Sequence, residues 1–203
     1  MLTKITLIRH GQTQWNHTKR YLGHTDIDLD ATGKEQALRT QKKLKREEFH
    51  KIYSSDLKRA ANFAKIVFKG KEIFTTPDLR ELNFGLFEGK THDEIMNAHK
   101  YIYSQWLSSP FKTTVPDGEQ LKDFKQRITN IFKKIIADNS GLSIGVVTHA
   151  GPIRIILNHV MNKQDIWEPL PKLASIHIVE HDANIMNIVT FNDTTHLTNL
   201  LFL

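Results

Sequence analysis

The chain has 203 residues, against about 100–200 for a typical domain, so a single domain over 1–203 is expected. With 39% hydrophobic and 25% charged residues it is too apolar to be a disordered chain, and with no Cys it excludes disulfides, thiolate metal sites and a cysteine nucleophile. The formal charge of +6 favours anionic ligands, but the richest basic run, Lys42-Lys43-Leu44-Lys45-Arg46, leads straight into Glu47-Glu48 and reads as a solvated helix face, not a nucleic-acid surface.

The first predicted element is a strand over Leu2–Ile8, whose apolar run meets Arg9-His10 too soon for a signal peptide. A helix follows over Gly33–Glu48, with Ala37, Leu38 and Leu44 as its apolar side. Ile52-Tyr53 is a short strand ending at Ser54-Ser55-Asp56. Asp56 is then expected to cap a helix reaching Phe68 and stopped by Gly70. Glu72–Thr76 reads as another short strand. One or two helices occupy Thr91–Leu107, carrying Ile95, Met96, Trp106 and Leu107. Loops are marked by Ser108-Ser109-Pro110 and Pro116-Asp117-Gly118.

Glu119–Asp138 spaces Leu121, Phe124, Ile128, Ile131, Phe132 and Ile135 at three and four, as a core-facing helix requires. Ser143–Thr148 is a compact buried strand, followed by His149-Ala150-Gly151-Pro152 and a helix through Met161. Ala174–Glu180 and Ile185–Phe191 form a hairpin that turns at Asp182-Ala183-Asn184. The apolar end Leu200–Leu203 is expected to pack on its own domain, and either a monomer or a homodimer fits. No run approaches ~18 apolar residues, so no membrane span is expected and the protein reads as cytoplasmic.

Strands alternating with helices predict an α/β fold, a three-layer α/β/α sandwich with a mostly parallel sheet made mixed by the tail hairpin. In such sheets ligands bind beyond the carboxyl ends of the strands. Arg9-His10-Gly11 and Thr148-His149-Ala150-Gly151 both fall at such ends and are expected to meet in space.

Phosphate monoesters need planar, bidentate cationic donors, which Arg supplies better than Lys. Arg9 ends the first strand, and Arg59 stands one turn into the helix after Asp56. Gly11 reads as room for the backbone to approach a ligand. His10 is poorly placed for the core, and a neutral imidazole there can attack phosphorus. Singly each feature is common; their conjunction is what carries information.

That conjunction is extensive. Leu7-Ile8-Arg9-His10-Gly11-Gln12-Thr13-Gln14-Trp15-Asn16 is followed in order by Gly23-His24-Thr25-Asp26, Leu29 with Thr32-Gly33, and Ser54-Ser55-Asp56-Leu57 with Arg59-Ala60. Then come Arg80-Glu81-Leu82, Phe84-Gly85, Phe87-Glu88-Gly89, Pro116 with Gly118-Glu119, and His149-Ala150-Gly151. Over about residues 4–160 the chain resembles the histidine phosphatase, or phosphoglycerate-mutase-like, superfamily.

The resemblance implies a metal-independent, cofactor-free phosphomonoesterase. His10 matches the nucleophile that becomes phosphohistidine, and Glu81 matches the general acid. Arg9, Arg59 and His149 match the phosphoryl clamp, with Gly11, Asn16, Gly23 and Ala150 as further phosphate or substrate contacts. His10 must be neutral to attack, a form that two nearby arginines favour; Glu81 must begin protonated. The middle segment, about 91–117, matches a helical cap, making Tyr101, Trp106 and Phe111 candidates for core packing or for a lid over the pocket.

His24 is a candidate for the pocket edge. His92 and His99, seven apart, lack the carboxylate company of a metal site. The chain departs from the family at Leu22, where a Gln is frequent, at Phe63, expected to repack a helix, and at Asp117 and Gln120, which replace Gly and Ser. The insertion that cofactor-dependent phosphoglycerate mutases carry after the acidic residue is absent after Glu81, which favours the phosphatase branch. Within the superfamily the chain resembles small bacterial α-ribazole-phosphate phosphatases and broad-specificity relatives, so the expected partner is a small phosphorylated metabolite. The rivals are a phosphoglycerate mutase and a catalytically silent phospholigand-binding module.

Overall fold

The computed structural model describes residues 1–163, 167–183 and 185–198. Its elements are β1 (Thr3–Arg9), α1 (Gln14–His17), α2 (Ala31–Leu44), β2 (Lys51–Ser55), α3 (Lys58–Val67), β3 (Phe74–Thr76), α4 (His92–Ser108), α5 (Leu121–Asp138), β4 (Ser143–Thr148), α6 (Ala150–Val160), β5 (Ile176–Asp182) and β6 (Ile185–Asp193). The strands form one six-stranded sheet in the order β3-β2-β4-β1-β5-β6. β1, β2, β3 and β4 run parallel, while β5 pairs antiparallel with both β1 and β6.

Successive strand residues point to opposite faces, so a strand buried on both sides feeds two cores. Ile5 and Leu7 of β1, with Ile144 and Val146 of β4, enter the core shared with α5 and α6. Ile8 and Val147 enter the opposite core, shared with α2 and α3. The helices therefore cover both faces, and the architecture is the three-layer α/β/α sandwich. The spacing on α5 is what fastens it: Leu121, Phe124, Ile128, Phe132 and Ile135 are all buried. Phe63, on α3, is wholly buried in the second core, as a helix-repacking residue should be.

Several local expectations need correction. Asp56 does not cap α3, which starts after Leu57 with no side-chain cap. Its carboxylate instead takes both arms of Arg80, at 2.7 and 2.5 Å, and a bidentate ion pair outweighs one cap bond. Asp30 caps α2 by accepting from Gly33 N at 2.8 Å, so that helix begins earlier than expected. Leu38 and Leu107 are exposed, at 45% and 37%, because neither falls on the face its helix turns to the core. Helix α4 opens with a capping box between Thr91 and Glu94 and breaks its helical dihedrals at His99, which reconciles one helix with two. Asp117 adopts a positive φ of 59°, so the loop keeps a backbone shape that favours glycine.

The basic run on α2 is solvent-facing. Among the described residues no helix is long and apolar enough to cross a membrane. Leu200–Leu203 and the hairpin residue Asn184 lie outside the described residues.

Candidate active site

β1 and β4 are neighbours in register, with Arg9 opposite Thr148, so the residues that follow them emerge side by side. His10 N donates to Thr148 O at 2.9 Å, and Ala174 N donates to His10 O at 3.1 Å, which fixes the His10 backbone from both sides. The rings of His10 and His149 meet edge to face, centroids 5.0 Å apart. The expected meeting of the two strand ends is realised.

His10 is buried, and its Nδ1 lies 2.7 Å from Gly11 O. A carbonyl oxygen only accepts, so Nδ1 carries the proton and the neutral ring keeps its electron pair on Nε2. Burial, then the charges of Arg59 and Arg9, hold its pKa well below 6.5. The sequence reading credited the arginines alone; desolvation is the larger cause.

Arg59 is fully buried and bonded once through each of its three nitrogens. Its Nη2 donates to Gly23 O at 2.6 Å, Nη1 to Thr25 O at 3.1 Å and Nε to His149 Nδ1 at 3.1 Å. Since His149 Nδ1 accepts, its other nitrogen bears the proton and faces Ser55 Oγ at 2.9 Å. Burial and the neighbouring Arg59 also lower the pKa of His149 well below 6.5. Arg9 donates through Nη1 to Pro171 O at 2.7 Å, while its buried Nε has no partner among the described residues. Burial brings both guanidinium pKa values down to about 10, opposed by the nearby Glu81 carboxylate, so both remain cations at neutral pH.

Glu81 is held at both ends. Its carboxylate accepts from Leu82 N at 2.9 Å and from Gly151 N at 3.0 Å, in the first turn of α6. Gly151 is needed there: a Cβ would collide with the Glu81 carboxylate and with Phe124. The Glu81 carbonyl lies 3.0 Å from His24 Nε2 and 3.4 Å from Arg127 Nη2. His24 therefore braces Glu81 from behind.

Arg127, on α5, went unnoticed in the sequence. It also donates to the carbonyls of Asp78 at 2.9 Å and Arg80 at 3.1 Å, and its fork grips Glu119 at 2.9 and 2.7 Å. Ser55, Glu88 and Glu119 were also missed as functional groups, although each stands inside a quoted motif. Glu88 accepts from the backbone N–H of His24 and Thr25, both at 2.7 Å, shaping the 23–26 turn.

A Cβ at Gly11 would lie 2.6 Å from Gly33 O and 2.9 Å from Gly33 Cα, so the missing side chain lets the turn after β1 pack against α2. Asn16 gives its carboxamide oxygen to Thr13 N at 3.1 Å and Thr13 Oγ1 at 3.0 Å, closing the capping box of α1. Its amide N–H groups donate to no described residue. Ala150 opens α6, with the helix dipole pointing its positive end at the site.

Next to Glu81 and the start of α6 lies a cavity of about 310 Å³, walled chiefly by Tyr21, Phe84, Trp106, Phe124 and Trp167. A larger hollow, about 520 Å³, sits at the far end of α6 around Asn158 and Met161, and its described lining includes none of His10, Arg59, Glu81 and His149. Of Tyr101, Trp106 and Phe111, Trp106 alone is buried and walls the cavity; Tyr103 on the same helix is buried too. Tyr101 and Phe111 are 81% and 47% exposed, so they are neither core nor pocket lining. His92 Nδ1 lies 2.8 Å from Tyr103 OH, a contact with an aromatic partner and no carboxylate.

A profile of the histidine phosphatase superfamily (branch 1) matches residues 5–194. The chain belongs to the histidine phosphatase superfamily. Its similarity to phosphatases of that superfamily runs nearly end to end. It is 31% identical to the metal-independent phosphoserine phosphatase of Arabidopsis thaliana, across 100% of this chain and 86% of that one. It is 30% identical to the adenosylcobalamin/alpha-ribazole phosphatase of Escherichia coli, across 81% of this chain and 83% of that one. The solved structure of Bacillus stearothermophilus YhfR superposes with a TM-score of 0.89 at 30% identity, covering 96% of this chain and 99% of that one. As a histidine phosphatase superfamily member with relatives of these names, the protein is a phosphatase.

Proposed function

We propose that the protein is a metal-independent phosphomonoester hydrolase that works through a phosphohistidine on His10. The observation that carries this reading is the His10 geometry: Nδ1–H is committed to Gly11 O, and the ring is kept neutral, so Nε2 presents an electron pair among cations. Nε2 attacks phosphorus in line and the ester P–O bond breaks. Glu81 gives its proton to the departing alkoxide, then takes one from the water that cleaves the P–N bond. Phosphate leaves and His10 is again neutral. One carboxyl serves both steps because releasing the proton readies it as the base.

Arg9 and Arg59 hold charge on the equatorial oxygens, where cations stabilise the transition state. The unpartnered Arg9 Nε is a buried donor that a phosphoryl oxygen would satisfy. His149 joins the clamp when its Nε2–H turns from Ser55 Oγ to a phosphoryl oxygen. The Asn16 amide, the Gly23 turn, Ala150 at the α6 N-terminus and the backbone at Gly11 complete the phosphate cradle. In this reading 1–203 is one domain, residues 91–117 are its cap, and the substrate is a small phosphorylated metabolite. α-Ribazole 5′-phosphate is one candidate, a broad range of esters the other.

The test is initial-rate hydrolysis of p-nitrophenyl phosphate in excess EDTA. Wild type is expected to turn over, and His10→Ala to lose about a thousandfold or more of kcat. Equal activity in both proteins sinks His10 as nucleophile, and loss of wild-type turnover on chelation sinks the metal-free mechanism.

A further inference from the structure

The wall of the cavity beside Glu81 bears on the alcohol half of the ester, which the phosphoryl-binding side chains leave undefined. Tyr21, Phe84, Trp106 and Trp167 form one aromatic surface around it. Trp106 and Trp167 meet edge to face with centroids 5.2 Å apart, and Tyr21 meets Phe84 at 5.1 Å and Trp106 at 6.2 Å. The Tyr21 hydroxyl is bonded to Tyr103 OH at 2.7 Å, so its polar end is already satisfied. Among the described residues the charged members of the lining are Glu81, assigned above to proton transfer, and Arg154. Arg154 donates through Nε to Pro169 O at 3.1 Å.

We infer that the alcohol released is one ending in a flat apolar ring system, lodged against the Trp106, Phe84 and Trp167 rings, and not a small polar alcohol such as serine or glycerate. Removing an apolar ring from water onto aromatic walls is favourable, and ring-to-ring contacts add to it. A cavity of about 310 Å³ is at the size of a small-molecule subsite and has room for a bicyclic ring. An ammonium or a hydroxyl placed there would give up water and meet few polar partners, which is costly. Among the described lining residues Arg154 would favour a carboxylate instead, and the experiment includes that arm.

The inference rests on the hydrolase reading above, and its test separates the two. Values of kcat/KM are compared for 2-naphthylmethyl phosphate, O-phosphoserine, 3-phosphoglycerate and glycerol 3-phosphate, with p-nitrophenyl phosphate as the activity control. The naphthylmethyl ester is expected to exceed each of the other three by tenfold or more, since apolar groups in such pockets discriminate by roughly 10–200-fold. Trp106→Leu is expected to cut that preference at least tenfold. Trp106 is buried, so Trp167→Ala, at a residue 40% exposed, provides a second variant with less burial to lose; it is expected to cut the preference at least threefold. A preference for phosphoserine or phosphoglycerate overturns the inference and moves the role to Arg154. Variants that slow every ester by the same factor also overturn it. Hydrolysis of p-nitrophenyl phosphate without an aromatic preference leaves the hydrolase reading standing, whereas no hydrolysis of any ester overturns both.

Discussion

A histidine nucleophile needs a free nitrogen electron pair, and at His10 a single backbone carbonyl decides which nitrogen has it. Gly11 supplies that carbonyl, and its missing side chain matters for a separate reason, the contact with Gly33 on α2. Because the obstacle is backbone, it cannot swing away. Gly11→Ala is therefore expected to cost about 1–3 kcal/mol of stability, the usual range for forcing atoms into a packed site. It should also displace His10 and lower kcat. Urea midpoints and initial rates on p-nitrophenyl phosphate check both; a variant as stable and active as wild type would show that the contact yields. Arg9-His10-Gly11 was legible as a site because strand ends point residues at ligands. The partner of Gly11 was not, since Gly33 approaches only after β1 and α2 pack.

At the scale of elements, Glu81, the acid of the proposed mechanism, is held by a residue of α5, a helix whose sequence spacing marks only its core-facing side. Arg127 of α5 ties down the carbonyls of Asp78, Arg80 and Glu81 while Glu119 anchors its guanidinium. We expect Arg127→Met to lower kcat at least tenfold and change KM less than threefold. In the proposed mechanism Glu81 acts in the chemical step, so mispositioning it affects the transition state more than binding. Arg127→Lys keeps the charge but loses the fork, and should recover a part of the loss. A rise in KM equal to the fall in kcat/KM, or full activity in the methionine variant, would count against a positioning role. The same scale explains the Asp56 correction: a short polar side chain before a helix is a cap in isolation, but Arg80 brings it a stronger partner. Ion pairs between loops carry no periodicity, so the sequence could not show this one.

Across the whole molecule, burying neutral histidines ties stability to pH. His177, inside the sheet on β5, accepts from Asn192 N at 3.2 Å and lies 2.9 Å from Ser175 Oγ. Burial lowers its pKa from 6.5 to about 4. As pH falls the unfolded chain takes up this proton first, so the stability is full above about pH 6.5 and is lost progressively down to about pH 4. That shift corresponds to about 3 kcal/mol, and the buried His10 and His149 act in the same direction. Wild type is expected to show a markedly lower urea midpoint at pH 4.5 than at pH 7.5. His177→Gln should show a smaller drop, and an equal drop in both would mean that His177 is not part of the acid response.

What the sequence determined by itself was whatever repeats along the chain or is stated by adjacent residues. The three-and-four spacing of α5, the compact run of β4 and the ordered motifs around His10, Arg59, Glu81 and His149 each specify their element or site locally. The tertiary structure decided the rest: which carbonyl orients His10, which residues grip the back of Glu81, and which aromatics of a long middle segment face the cavity. Trp106 turns inward while Tyr101 and Phe111 stay in solvent. Composition treats the three alike, and what separates them is the face of α4 on which Trp106 and Tyr101 stand and the turn after it that carries Phe111, which are placed only when the layers pack.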